Sequence, residues 1–181
     1  MIAPVNLLLI AALAGVLALC VLGSLARSGM AGIKEAIRAN LLTLAAFGLY
    51  ALQITDAPLW LSVIASNTAV ALALCAYYTG LRRLVGLPVP RRLMALASGA
   101  TLLVVAGYTY IEPEVGPRMV AMSALMAAFM AAIAVTVGRG MPANRSRYAY
   151  HFVRVVALVS AAVCVARAGV YALDLATPQA P

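Results

Sequence analysis

Apolar residues run along this chain in long unbroken stretches, without the alternation of a half-buried strand or the one-sided stripe of a surface helix. A helix needs about 20 mostly apolar residues to cross a bilayer. Six stretches meet or approach that length: Pro4 to Leu25, Ala39 to Gln53, Leu59 to Tyr78, Leu93 to Tyr110, Met119 to Val137 and Tyr148 to Leu173. The second is short and borrows Ala36 and Ile37. The pattern therefore predicts an all-α, polytopic bundle of six transmembrane helices, a single integral membrane domain over residues 1–181. The first stretch lacks a basic leader and a small-residue cleavage site, and reads as a retained helix.

The breaks between stretches have clear local chemistry. Asp56, Ala57 and Pro58 end one span and open the next, Asp as an N-cap and Pro as a first-turn residue. Gly86, Pro88 and Pro90 interrupt the chain after the third stretch. Glu112 to Pro117 forms a tight turn, and Gly138, Gly140 and Pro142 mark the last break. Connections this short predict antiparallel neighbours.

Composition agrees with this picture. Hydrophobic residues make up 65% of the 181 residues and charged ones 10%. Soluble domains carry roughly 25% charged residues, so this chain lacks the polar surface that water requires. The net charge of +8 points away from nucleic acid, because it is confined to short segments beside apolar spans. There it sets orientation and meets anionic lipid headgroups.

The charges also sort by connection. One group holds Arg27, Lys34 and Arg38; a second Arg82, Arg83, Arg91 and Arg92; a third Arg139, Arg145 and Arg147. The intervening connections hold Asp56, Glu112 and Glu114, with Arg118 as a lone basic residue. Basic loops stay on the cytoplasmic side. The N-terminus, the Asp56 turn, the Glu112–Pro117 turn and the C-terminus are thus expected outside. Trp60, Tyr77, Tyr78, Tyr108, Tyr110, Tyr148 and Tyr150 lie near span ends, where amphipathic rings favour the headgroup region.

Polar groups inside the spans are the candidates for function, because burying them is costly. Asn67, flanked by Ser66 and Thr68, falls mid-span and needs a partner; interhelical bonding and the lining of a ligand pocket both remain open. Gln53, Tyr108, Tyr110 and Ser123 are possible companions. Arg167 either binds an anionic ligand in the interior, pairs with Asp174 or Glu112, or snorkels outward. Arg147, His151 and Arg154 share one helical stripe, expected at the inner headgroups together with Arg82 and Arg83. The lone histidine cannot form a two-histidine haem site within one chain. Cys20, Cys75 and Cys164 match no metal or redox spacing and read as small buried apolar groups. No catalytic, phosphate-loop or metal motif stands out, and no cofactor is expected. Small residues at four-residue spacing (Ala11 and Gly15; Ala124, Ala128 and Ala132; Ala157 and Ala161) read as generic packing positions.

One resemblance covers roughly Pro4 to Leu173. It rests on Pro58 to Asn67, on Tyr78-Thr-Gly-Leu-Arg-Arg83 with the Pro88 and Pro90 pair, and on Tyr108-Thr-Tyr-Ile-Glu-Pro113 with the nearby Pro117, Arg118 and Ser123. These segments resemble the N-terminal membrane sensor region of bacterial GGDEF-domain proteins, the diguanylate cyclases. The resemblance implies an input module in the bacterial inner membrane, with Asn67, Tyr108, Tyr110, Arg118 and Arg167 as cue-sensing residues and homodimerisation as one route to output. In that family a further helix returns the chain to the cytoplasm and leads to the cyclase domain. The GGDEF sequence does not occur here, so the expectation is a fragment of a longer signalling protein, the alternative being a degenerate stand-alone relative. The rival expectations are a small transporter or permease and a membrane scaffold.

Overall fold

A computed structural model describes residues 4–54, 57–140 and 147–176. The described residues form six long helices and no strand. They are α1 (Pro4–Leu25), α2 (Ile33–Ala51), α3 (Ser66–Leu84), α4 (Arg91–Tyr110), α5 (Val115–Arg139) and α6 (Arg147–Ala176). A short 3₁₀ turn, Leu52–Ile54, comes directly after α2, and a π-helical turn, Trp60–Ala65, leads into α3. Four helical segments are long and apolar enough to cross a membrane: Trp60–Leu84, Arg91–Tyr110, Val115–Arg139 and Tyr148–Leu175.

Several helices extend past the predicted spans. α2 begins at Ile33, so Lys34, Glu35 and Arg38 lie on the helix. α3 runs on to Leu84 and carries Arg82 and Arg83 in its last turn, where cations favour the negative end of the helix dipole. α5 starts at Val115, so Arg118 belongs to its first turn. The charge pattern alone places these positions in loops. Helices continue through charged residues because Lys, Arg and Glu are good helix formers, and ending an apolar run does not end the backbone ladder. The expected N-cap at Asp56 and the turn at Pro142 lie outside the described residues.

The chain divides into two compact units, residues 1–84 and 85–181. In the first, α2 packs against both α1 and α3, most extensively against α3. Gly32 and Gly80 bring α2 and α3 together at one end. Gly32 has φ 91°, in the left-handed region, and a β-carbon there would collide with the Gly80 carbonyl oxygen. A β-carbon on Gly80 would lie 2.8 Å from the Gly32 carbonyl oxygen. Beside this contact Arg83 pairs with Glu35. At the α1–α2 contact the Asn40 amide donates to the Gly15 carbonyl at 2.8 Å, and Leu44 fills the space that the missing Gly15 side chain leaves.

In the second unit α5 is central, packing against α4 and more extensively against α6. Its buried face is Met122, Leu125, Phe129, Ile133 and Val137, a helical stripe. Ala124 and Ala128 are exposed, so the alanine spacing read as a packing seam faces outward on α5. Ala157 of α6 is buried, in keeping with its expected packing role. Cys20 is exposed and Cys75 and Cys164 are half-buried.

The outward faces of α1 and α6 are apolar. Leu13, Leu17 and Val21 on α1, and Val155, Val159, Val163 and Val170 on α6, are all exposed. Soluble monomers rarely show apolar surface on this scale. It is compatible with contact with a lipid bilayer.

Replacing Gly32 by Ala combines a strained backbone with a steric collision and should cost about 1–3 kcal/mol. Gly48→Ala, in the interior of α2 with no neighbouring atom within 4 Å, should be neutral or stabilising. Denaturant titration of the two variants in detergent micelles checks this; equal stabilities would remove the glycine contact as the determinant of the α2–α3 approach.

Candidate functional site

Asn67 is 8% exposed, on the first turn of α3. Its Oδ1 accepts a hydrogen bond from the Tyr50 hydroxyl of α2 at 2.9 Å. Its Nδ2 donates to the Val63 carbonyl at 2.7 Å. One side chain thus ties α2 to the π-helical turn that precedes α3. A π-helical turn widens the ladder, its carbonyls meeting amides five residues on instead of four. Side chains add further donors to these carbonyls. The Ser62 carbonyl accepts from Ser66 Oγ at 2.6 Å and from Gln53 Nε2 at 3.0 Å. The Val63 carbonyl accepts from Ser66 Oγ at 2.9 Å as well as from Asn67. Ser62 and Ser66 are buried. Tyr50, Gln53, Ser62, Ser66 and Asn67 therefore form one polar cluster around an irregular turn.

Gln53 joins the cluster, as its place in the sequence suggests, through the turn. Tyr50, Asn67's partner on α2, does not stand out by its own position. A signal for it exists nonetheless. Antiparallel helices joined by a short turn place residues equidistant from that turn at the same depth, and Tyr50 and Asn67 are nearly equidistant from Ala57–Pro58. The same symmetry pairs Glu35 with Arg83.

The other candidates of the first unit sit at the opposite end of α3. Arg82 Nη1 donates to the Tyr78 hydroxyl at 2.9 Å, and the guanidinium carbon lies 5.6 Å from the centre of the Tyr78 ring. Its Nε is buried with no partner. Arg83 is engaged by Glu35. Both arginines, expected at lipid headgroups, thus make contacts within the protein.

In the second unit Arg118 is half-buried. Its Nε donates to the Glu114 carbonyl at 2.9 Å and its Nη1 to Thr109 Oγ1 at 3.3 Å, linking α5 to α4. Thr109 Oγ1 in turn donates to the Val105 carbonyl at 2.6 Å. Tyr108 is half-buried and Tyr110 exposed at the end of α4. Arg167 is exposed on α6, and its Nη2 lies 3.3 Å from Met119 Sδ of α5, a weak acceptor. Ser123, one turn beyond Met119, is 2% exposed and its hydroxyl has no partner. His151 and Arg154 are exposed on α6, and the side chain of Arg147 lies outside the described residues. Among the described residues no group of three or more His, Cys, Asp or Glu comes together.

Comparison with protein-family models, curated proteins and solved structures finds no match.

The cluster around Asn67 is the most connected polar arrangement among the described residues. Hydrogen bonds between apolar helices average about 0.6 kcal/mol and reach about 1.7 kcal/mol. A double-mutant cycle with Tyr50→Phe and Asn67→Leu should show a coupling of about 0.5–1.5 kcal/mol by the same scale. Strictly additive losses in thermal unfolding would mean that the Tyr50–Asn67 bond does not tie the helices.

Proposed function

We propose that this chain is the membrane-embedded sensory input module of a bacterial cyclic di-GMP signalling protein, its parent a diguanylate cyclase. It lies in the bacterial inner membrane as six spans with both termini outside, and its basic ends face the cytoplasm and anionic lipid. The apolar helices support the membrane placement, and the sorting of charges supports the orientation. The resemblance through Pro58–Asn67, Tyr78–Arg83 and Tyr108–Pro113 supports the signalling role.

The observation that carries the reading is the Asn67–Tyr50 link to the π-helical turn. A sensor needs an element with two arrangements of similar energy whose populations a cue can shift. A turn whose carbonyls are held by side chains has that property. Tightening Trp60–Ala65 into an α-helix would release Gln53 and Asn67 and move the carbonyls from amides five residues on to amides four residues on. Such a change rotates the rest of α3, including Arg82 and Arg83 at its cytoplasmic end. Arg118 and Arg167 are the corresponding candidates for an outer cue in the second unit. A homodimer would carry the change to an attached enzyme.

A transporter is the second reading, favoured by one observation. The two units contain three long helices each. Internal repeats of equal helix number are a feature of many transporters.

The test compares cyclic di-GMP in cells carrying the full-length protein or its Asn67→Leu variant. The signalling reading expects a change of roughly fivefold or more, the low end of ordinary coupling free energies. An unchanged level, together with solute flux in proteoliposomes that Asn67→Leu abolishes, would replace it with the transporter reading.

A further inference from the structure

The first unit engages part of its positive charge within the protein, while Arg27, Lys34 and Arg38 are exposed with no ion pair among the described residues. In this unit Arg83 pairs with Glu35 and Arg82 with Tyr78. In the second, Arg91 and Arg92 open α4, Arg139 closes α5, and Arg154 lies on the first half of α6. All four are exposed, and among the described residues none has an ion-pair partner. The acids of this unit, Glu112, Glu114 and Asp174, lie at the other ends of the same helices. The 25 residues of α5 separate the two ends by about 37 Å. Charges exposed to water interact little beyond a Debye length of about 8–10 Å, so those carboxylates do not compensate the arginines.

Local contacts at the end of α5 bring Arg154 and the segment that leads into α4 to that helix end. Val85 packs against Gly140, placing the segment that leads into α4 beside the end of α5. Gly138 has no side chain, and the Arg154 guanidinium occupies the space beside it. A β-carbon at Gly138 would lie 3.4 Å from Arg154 Cζ and 3.5 Å from both Nε and Nη1. The flat cation is thus seated on the backbone of α5, one residue before Arg139. A seated planar guanidinium is suited to bidentate binding of phosphate oxygens.

We propose that Arg91, Arg92, Arg139 and Arg154 form a binding site for the phosphodiester headgroup of an anionic lipid, with Arg154 seated on Gly138 as its ordered contact. The ligand chemistry is a phosphate monoanion carrying acyl chains, whose tails would lie along the exposed valines of α6. His151, one turn before Arg154 on α6, is the nearest further donor along that helix. The inference rests on the membrane reading of the chain and is independent of its signalling role.

The test uses the full chain in bilayer nanodiscs of phosphatidylcholine containing a minor fraction of phosphatidylglycerol. Lipid retained through detergent extraction is quantified by native mass spectrometry. Phosphatidylglycerol should be enriched over phosphatidylcholine. Each of Arg139→Gln and Arg154→Gln should weaken retention about fivefold, the equivalent of roughly 1 kcal/mol per juxtamembrane cation. Arg154→Lys should recover only part of the loss, because it keeps the charge and loses the planar fork. Gly138→Val should reduce retention by displacing the guanidinium, and Arg27→Gln, outside the proposed site, should reduce it less than Arg154→Gln does. Thermal unfolding measured alongside identifies any variant that fails to fold, and Arg154→Lys then carries the comparison. Equal retention of the two lipids, no loss in the arginine variants, or full displacement by millimolar inorganic phosphate overturns the proposal. A chain that fails to enter nanodiscs overturns the membrane reading instead.

Discussion

Polar groups buried among apolar helices must find their partners within the protein, and this constraint organises the described structure. The hydroxyls of Thr43, Ser66, Thr68, Thr101 and Thr109 each donate to the carbonyl four residues earlier. Such back-bonding satisfies the side chain locally and loosens the helix slightly. Where the helix departs from regularity, at Trp60–Ala65, its carbonyls also accept from the side chains of Gln53, Ser66 and Asn67. The irregular turn and the polar cluster are therefore one feature. The side chains find acceptors in the carbonyls of the turn, and the turn gains donors from them.

The two ends of the α2–α3 pair are held by different physics. At one end glycine permits the backbones of Gly32 and Gly80 to touch, and an ion pair closes the gap between Glu35 and Arg83. At the other end the Tyr50–Asn67 hydrogen bond spans the helices. Close backbone approach is rigid, since any side chain would open it. A single hydrogen bond to an irregular turn is softer. Motion within this pair is thus expected at the π-helical end, with the glycine end as the pivot.

The order of the helices is legible in the sequence because apolar length and turn chemistry are local properties. The ranges expected for the first, fourth and sixth stretches agree with α1, α4 and α6 to within about three residues. The starts of α2 and α5 and the end of α3 are not legible in the same way. Charge at those positions suggests a loop, while the backbone ladder runs on through Lys34, Arg118 and Arg83. The importance of Asn67 is legible from its cost of burial. The roles of Tyr50 and Glu35 are not, because a partner across two helices depends on register. Register is set by the turn between the helices, and no single polar residue carries that information.

Register also explains why the arginines differ in role despite similar placement along the chain. Arg83 lies opposite Glu35 because α2 carries an acid at the depth where α3 ends. α5 and α6 carry no acid at the corresponding depth, and the place beside Arg154 is taken by Gly138. A glycine there accommodates a cation without neutralising it. The first unit therefore engages Arg82 and Arg83 within the protein and leaves Arg27, Lys34 and Arg38 exposed. The second presents a cation on a backbone seat, and the free energy of meeting an anion is left to whatever surrounds it. Under the proposed lipid site, an anionic leaflet would supply that counter-charge along with an apolar surface for α6, so one environment would satisfy both the unpaired arginines and the exposed valines.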